Sequence, residues 1–276
     1  MLGRSKVYIG PEVALWRRWV LRHARQTAVG LLLVWAVAML AAVAQLWKAP
    51  PGLGSSLLVL VALAVVGVVW AAWERQRLVR EAPMPQFLKR KLREAYPHLS
   101  GKDTELVERG LRQFFLACLR SRGKFVAMPS RVVDSMWHEF ILHTRAYRDW
   151  CELVLGRFVD HVPAEALGKN PVRNDGLRRA WYWACKDEAI APRLPSRLPL
   201  LFALDAKLAI ANGFHYVPDC SGIKRTDDNS ATHCGNSFSD GSYSGEAGSF
   251  GGAESSASDG SSSDAGSGDG CGGGGD

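Results

Sequence analysis

The chain begins with two long apolar runs. Residues 26–47 and 53–73 are almost wholly apolar, and each run has the roughly 20 residues that an α-helix needs to cross a hydrocarbon core about 30 Å thick. Because backbone amides cannot hydrogen-bond to lipid, a spanning run of this composition must be helical. Only Lys48-Ala49-Pro50-Pro51-Gly52 separates the runs, which suffices for a tight turn. The pattern predicts a transmembrane helical hairpin; two buried helices of a soluble core are the alternative.

Basic residues lie on both outer flanks of this hairpin. Arginines and lysines occur throughout residues 1–25 and 75–93, whereas the turn has only Lys48. Basic residues close to a span are retained on the cytoplasmic side, so we expect a multi-pass protein of the cell (inner or plasma) membrane with both termini inside. A signal peptide cleaved after Ala42-Val43-Ala44 is the alternative for the first run. Such cleavage would leave the second run as a single span, and the domain after it would still face the cytoplasm.

The hydrophobic period changes after the hairpin to the three- and four-residue spacing of amphipathic helices. Several residues are suited to begin or end such helices: Ser100 with Asp103 as a capping box, Ser130, Thr144 and Asn174 as N-caps, and Gly156 as a C-terminal stop. We therefore expect residues 81–220 to form a compact helical cytoplasmic domain with its own core, and the fold class to be mainly all-α.

The last part of the chain differs from this domain in composition and charge. Residues 221–276 contain 15 Gly and 14 Ser but no Leu, Val, Met or Trp, so they cannot bury enough apolar surface to fold alone. The sequence predicts a disordered, Gly/Ser-rich tail with 9 acidic residues against 2 basic ones. Residues 74–220, with 25 basic against 17 acidic residues, are basic instead.

The basic charge next to the hairpin indicates which partners the chain favours. Lys and Arg near a bilayer surface are attracted to anionic lipid headgroups, so the lipid bilayer and its headgroups are expected partners, together with unidentified protein partners. Aromatic residues are not interleaved with the basic ones as in nucleic-acid-binding proteins. We therefore do not expect nucleic acid as a partner.

Candidate metal ligands concentrate in one segment. A helix break at Thr144 would let His138, Cys151 and His161 converge from two helices and the loop after them. Imidazole and thiolate are ligands that zinc prefers, so these three residues are the predicted zinc site. Asp134, one helical turn before His138, would orient its imidazole without binding the metal.

Other arrangements of the same residue types lead to further hypotheses. Cys220, His233 and Cys234 form an alternative ligand set at the start of the tail. The segment from His138 to His143 is one residue too long for H-E-x-x-H, which argues against a zincin-type protease. A Cys151–histidine nucleophile would need a polar setting, and the apolar neighbours of Cys151 favour burial instead. We assign no catalytic residue and favour a binding role over an enzymatic one.

The same segment resembles a known protein family. It contains Val133-Asp134-x-x-Trp137-His138, then Leu142, Thr144, Tyr147, Cys151 and Gly156, and finally His161-x-Pro163. These residue types in this order resemble the signature of the glycine-rich-domain-protein-like family, which occurs in plants and bacteria. The resemblance covers residues 133–163, and the glycine-rich C-terminus agrees with it. It implies no established reaction; plant members are linked in general terms to growth and stress responses.

Two functions are consistent with these patterns. The first is a membrane protein that presents a cytoplasmic helical interaction module of the glycine-rich-domain-protein-like type. The second is a zinc-binding domain, structural or hydrolytic, built on the Trp137-His138 segment.

Overall fold

The computed structural model describes residues 15–44, 53–161, 171–218, 232–234 and 238. These parts of the chain are mostly helical, as predicted. The helices are α1 (Leu15–Val43), α2 (Leu53–Glu81), α3 (Phe87–Ala95), α4 (Gly101–Arg120), α5 (Arg131–Leu142), α6 (Thr144–Trp150), α7 (Pro171–Asp187) and α8 (Leu200–Lys207). A π-helical turn, Cys151–Leu155, continues α6, and the short strands β1 (His215–Val217) and β2 (Thr232–Cys234) follow α8.

Helices α1 and α2 pack against each other as an antiparallel pair. Trp35 Nε1 donates a hydrogen bond to Ser56 Oγ at 3.1 Å, and the rings of Trp16 and Trp70 stack with centroids 6.1 Å apart. The windows Gln26–Val43 and Ser56–Glu81 are long and apolar enough to cross a membrane, and only 6% of each window is buried. Helix α1 already begins at Leu15, so part of the predicted N-terminal segment, residues 1–25, is helical. The predicted turn, residues 48–52, lies outside the described residues.

Helix α2 continues beyond the apolar hairpin into the helical domain. It ends at Glu81, past the predicted limit of the second span at Trp73. The side chain of Val79 is fully buried, and Arg112 of α4 donates a hydrogen bond to its carbonyl oxygen at 2.9 Å. The second predicted span and the domain therefore share one helix.

The core of the domain is built around α4, which contacts α2, α3, α5, α7 and α8. Phe114 and Phe115 are fully buried, and both rings contact Trp137 of α5. The predicted capping box is present, because Ser100 Oγ accepts from the Asp103 amide and the Asp103 carboxylate accepts from the Ser100 amide. These local signals give α4 a defined start from which its apolar face enters the core.

Several predicted helix ends are present, and two differ in detail. Ser130 Oγ accepts from the Val133 amide at the start of α5, and Gly156 ends the π-helical turn in the left-handed conformation, with φ 73°. The predicted break near Thr144 is also present, but Thr144 is the first residue of α6 and His143 precedes it. Helix α7 begins at Pro171, so Asn174 lies inside the helix. A proline is well suited to a first helical position because its missing amide has no helical acceptor there.

The folded region extends into the segment predicted to be disordered. β1 and β2 pair in parallel, with Tyr216 opposite His233. The ring of Phe238 packs against Trp181, Phe202 and Tyr216, with centroid distances of 5.8, 5.9 and 6.1 Å. The domain therefore does not end at residue 220. A three-residue strand and one aromatic residue within a Gly/Ser-rich sequence are too short to produce a periodic signal. The rest of the tail lies outside the described residues.

Candidate metal centre

Two histidines and an aspartate meet at the surface of the domain. Asp134 and His138 lie on α5, and His161 follows the π-helical turn. One potential ligand atom from each of the three residues lies within 4.8 Å of the others. The Asp134 carboxylate is close to both imidazoles: Oδ1 is 2.9 Å from His161 Nε2, and Oδ2 is 3.5 Å from His138 Nδ1. We call these three residues the Asp-His-His group.

Helix α5 places two members of the group on one face, because residues four apart are neighbours on a helix surface. The start of α5 is fixed by Asp205 of α8, which is 1% exposed. Its carboxylate accepts hydrogen bonds from Ser130 Oγ at 2.7 Å, the Arg131 amide at 2.7 Å and the Val132 amide at 3.1 Å. Asp134 lies one turn further along the helix, so a fixed helix start also fixes its position.

Two residues of the motif, Trp137 and Tyr147, hold His161 and its loop against α5. Trp137 Nε1 donates to Tyr147 Oη at 3.1 Å, and Tyr147 Oη donates to the Val159 carbonyl oxygen at 2.6 Å. The Trp137 ring also meets the His161 ring edge-on, with centroids 4.7 Å apart. Successive residues on a helix point about 100° apart. Trp137 can therefore enter the core and hold this loop while the neighbouring His138 stays 51% exposed.

The structure does not bring Cys151 into the Asp-His-His group. Its side chain is fully buried, and burial raises the pKa of its thiol to about 12. The thiol contacts the Tyr147 hydroxyl and the Val159 backbone amide instead. Cys151 follows α6 on the side that faces the core, where a neutral thiol behaves as a small apolar group. Of the predicted zinc ligands, the structure thus groups His138 and His161 and leaves Cys151 apart.

Asp134 lies against both histidines of the group, whereas the sequence predicted only that it would orient His138. Its two carboxylate oxygens point to different imidazoles, as the two distances above show. The sequence indicated the Asp134–His138 neighbourhood by helical spacing. It also predicted that His161 would converge on His138, but not that His161, 27 residues after Asp134, would contact the Asp134 carboxylate directly.

The remaining candidate residues lie elsewhere. His143 Nδ1 is 3.0 Å from the Glu139 carbonyl oxygen, and the His143 ring stacks on Phe87 with centroids 3.8 Å apart, outside the Asp-His-His group. In the alternative ligand set, His233 and Cys234 belong to β2 and Cys220 lies outside the described residues. That set stays a prediction.

The donor set and its exposure suit a divalent transition metal. Tetrahedral zinc holds imidazole nitrogens and carboxylate oxygens at about 2.0–2.2 Å, which places ligand atoms roughly 3.3 Å apart. Asp134 Oδ1 and His161 Nε2 are 2.9 Å apart, which is close to this spacing. The other ligand atoms, which lie within 4.8 Å of one another, would have to move slightly closer together. His161 is 12% exposed and is covered by Trp137, whereas Asp134 is 31% exposed. Three protein ligands that are open on one side would leave a fourth position for water or another ligand.

Comparison with known proteins identifies one family. A family model described as UCP032817-like matches residues 74–238, which is more than half of the chain and includes the whole Asp-His-His group. No curated protein and no solved structure matches the chain. The matched region starts within α2, at residue 74, and stops at Phe238, whose ring packs on the core. The chain therefore belongs to the UCP032817-like family.

Proposed function

We propose that this protein is a membrane-anchored metal-binding protein whose helical domain holds one zinc ion at the Asp-His-His group. The observation that carries this proposal is the approach of three ligand atoms from Asp134, His138 and His161 to within 4.8 Å of one another. Two imidazoles and one carboxylate are a common donor set for zinc with an open coordination position. The buried hydrogen bonds around Tyr147 and Asp205 hold both parts of the group, as the ligands of a preformed site require.

The anchor of the proposed protein is the pair α1 and α2, inserted as a hairpin in the inner or plasma membrane. Trp16, Trp19 and Trp73 are exposed at one end of this pair, and Trp16 stacks on Trp70. Arginines lie over two of these rings, with Arg17 Cζ 5.7 Å from the Trp16 centroid and Arg77 Cζ 6.0 Å from the Trp73 centroid. Tryptophan and arginine together are typical of a membrane–water interface.

The orientation of the hairpin is part of the same proposal. The arginine-rich ends of α1 and α2 favour the cytoplasmic side, which places both termini and the domain inside the cell. The same arginines would contact anionic lipid headgroups. A reporter fused to the C-terminus tests this arrangement: activity of a cytoplasmic reporter is expected, and activity of a reporter that works only after export would contradict it.

Metal analysis of the full chain tests the zinc site. The protein, purified in detergent and incubated with zinc, should retain one zinc per chain after gel filtration. Asp134→Asn, His138→Ala and His161→Ala should each lose most of it, because three ligands are the minimum for a tight site. His143→Ala is the matched control, since it removes a nearby histidine outside the group. Folded wild-type protein without bound zinc, or equal loss in the control, would contradict the proposal.

A second function, a protein-interaction module, is favoured by a different observation. Leu142 and Leu194 of the domain are 72% and 84% exposed, although both lie outside the apolar hairpin. Contiguous exposed apolar patches mark protein-interaction surfaces, so this second proposal requires that Leu142 and Leu194 each contribute to such a patch. Crosslinking in cells, with identification of the products by mass spectrometry, should give partners that disappear in Leu142→Ser or Leu194→Ser but persist in His138→Ala. The reverse pattern would assign the partners to the metal site instead.

The resemblance to the glycine-rich-domain-protein-like family enters as a further proposal. The arrangement of the motif residues in the domain supports this proposal. Asp134, His138 and His161 form the Asp-His-His group, and the buried side chains of the motif are Trp137, Tyr147 and Cys151. A solved structure of a plant member tests the relationship. We expect the corresponding aspartate and histidines to converge there, and a different arrangement would separate the two families.

A further inference from the structure

An arginine of the second apolar helix reaches both the first helix and the end of the π-helical turn. Arg75 Nη2 donates a hydrogen bond to the Leu21 carbonyl oxygen of α1 at 2.6 Å. The same guanidinium lies against Gly156, so closely that a Cβ atom at this position would overlap it. Gly156 also has φ +73°, a conformation that favours glycine. Arg75 thus joins α1, α2 and the loop that leads to the metal centre.

The loop between Gly156 and His161 is short and held at several points. The Gly156 amide donates to the Cys151 carbonyl oxygen at 2.9 Å and closes the π-helical turn. Arg157 Nη2 donates to the Cys118 carbonyl oxygen at 3.2 Å, and the Val159 carbonyl oxygen accepts from Tyr147. Only residues 157–160 separate Gly156 from His161, so we expect a displacement of Gly156 to shift the loop that carries His161.

Other contacts between the hairpin and this turn are weaker. Arg22 and Glu152 approach at 3.4 Å, but their side chains are 59% and 48% exposed. Exposed ion pairs of this kind contribute little to stability because water and salt screen them. The contact between Arg75 and Gly156 instead involves a part-buried guanidinium and a backbone that leaves no room for a side chain. It is therefore a contact through which the hairpin can constrain the turn.

We infer that Arg75 is a positioning residue for the metal centre: by seating the π-helical turn against the hairpin, it sets the position of His161 and couples packing of α1 and α2 to metal affinity. This inference rests on the proposed zinc site for its functional meaning. Its geometric part, the dependence of residues 157–161 on Arg75, can be measured without metal. Removing Arg75 should leave the ligands intact but loosen one of them.

The test compares two variants with two matched controls in the full chain in detergent. Arg75→Gln removes the guanidinium, and Gly156→Ala forces it away. Arg77→Gln is the control for the first, because Arg77 lies on the same helix and pairs only with the nearby Glu81 among the ion pairs found in the described residues. Gly123→Ala is the control for the second, because Gly123 also has a positive φ, of +93°, but a Cβ there would meet nothing within 4 Å.

Zinc affinity and hydrogen–deuterium exchange of residues 157–161 are the two measurements. Loss of a residue that orients a metal ligand typically weakens binding about 10–100-fold. We expect a loss of that order in Arg75→Gln and Gly156→Ala, together with faster exchange in residues 157–161. Both controls should stay within about twofold of the wild type. A circular dichroism spectrum like that of the wild type shows that the loss is local.

Each outcome decides the inference. Unchanged affinity and unchanged exchange in both variants overturn it, as does a loss of folded protein in both, because the role of the contact would then be global. If only Arg75→Gln fails to fold, the zinc affinity and the exchange of Gly156→Ala decide the inference. If the wild type binds no zinc, the proposed function fails. Faster exchange in Arg75→Gln but not in Arg77→Gln would still support the coupling, and equal exchange would overturn it.

Discussion

The two halves of α2 use the same kinds of apolar side chain in opposite surroundings. In the apolar part, Leu58 and Val66 are 76% and 64% exposed, whereas Val79 near the other end is fully buried against the domain. Helix α1 shows the same exposure at Leu40, while Phe114 of α4 is buried completely. Many apolar side chains of the hairpin are thus exposed, whereas most of those in the domain are buried. This difference agrees with the membrane insertion that we propose for the hairpin, and protein packing stabilises the domain.

The largest expected effect is a difference in stability between truncating a core residue and truncating a hairpin residue. Phe114→Ala should lower the free energy of unfolding by about 3–5 kcal/mol, because it leaves a cavity in a close-packed core. Leu40→Ala should have a small effect, since the removed atoms contact no protein core. Denaturant titration of the full chain in detergent, followed by circular dichroism, measures both. A comparable loss for Leu40→Ala would mean that the exposed face of α1 is covered by protein.

The second prediction compares the effect on membrane insertion of an aspartate placed in the hairpin with that of one placed in the domain. Val37→Asp should disfavour insertion of the first apolar helix by about 2.5–3.5 kcal/mol, because a carboxylate would enter the hydrocarbon core. Leu142→Asp, at a similarly exposed position on the domain, should leave insertion unchanged. The fraction of protein that stays with membranes after alkaline extraction distinguishes the two variants. Equal retention of both would argue against a lipid-facing position for Val37.

A smaller effect is expected where polar contacts hold the domain together. Asp205→Ala should lower the free energy of unfolding by about 1–3 kcal/mol, since buried donors of Ser130 and Val132 lose their acceptor. Zinc affinity should fall as well, because these contacts fix the start of α5. Asp149→Ala is the control at an exposed carboxylate outside this region, for which a change within about 0.5 kcal/mol is expected. A stable Asp205→Ala variant would show that Ser130 alone caps the helix.

An effect that is negligible at neutral pH concerns the buried thiols and appears only at alkaline pH. Burial raises the pKa of Cys118, Cys151 and Cys185 from 9.0 to about 12. The folded state therefore keeps these protons while the unfolded state loses them above about pH 9. This contribution to stability is complete below pH 9 and decreases as the pH rises towards 12.

Thiol labelling gives the simplest measurement of this effect. At pH 8, alkylation followed by peptide mass spectrometry should find the three cysteines unlabelled in folded protein and labelled in denaturant. Fast labelling of Cys151 in the folded state would indicate an accessible thiol and would return it to the list of candidate metal ligands.

The Asp-His-His group shows how much of the candidate site could be predicted from the sequence. Asp134 and His138 lie on one face of a helix that begins at a recognisable cap, so their proximity follows from local geometry. The helix break before α6 was predicted from the capping propensity of Thr144, although His143 takes the cap position. Cys151 was a reasonable ligand by spacing alone. Its apolar neighbours had favoured burial instead, and the structure buries its side chain completely at the start of the π-helical turn.

The end of the domain was harder to predict for a related reason. Phe238 lies in a stretch rich in Gly and Ser. It contributes to the core by packing against three aromatic rings, which belong to α7, α8 and β1. No window of sequence around Phe238 contains those partners. Composition indicated the character of the tail as a whole but could not identify the few residues that return to the core.

The sequence by itself determined the features that depend on neighbouring residues and on transfer from water. These features are the two apolar helices, the caps at Ser100 and Ser130, and the mainly helical class. Tertiary structure alone decided which distant groups meet: His161 with Asp134, Arg75 with Gly156 and Phe238 with the core. The physical reason is that periodicity and capping act over a few bonds of the chain. Contacts between remote residues depend instead on how whole helices pack, and many packings are compatible with the same local pattern.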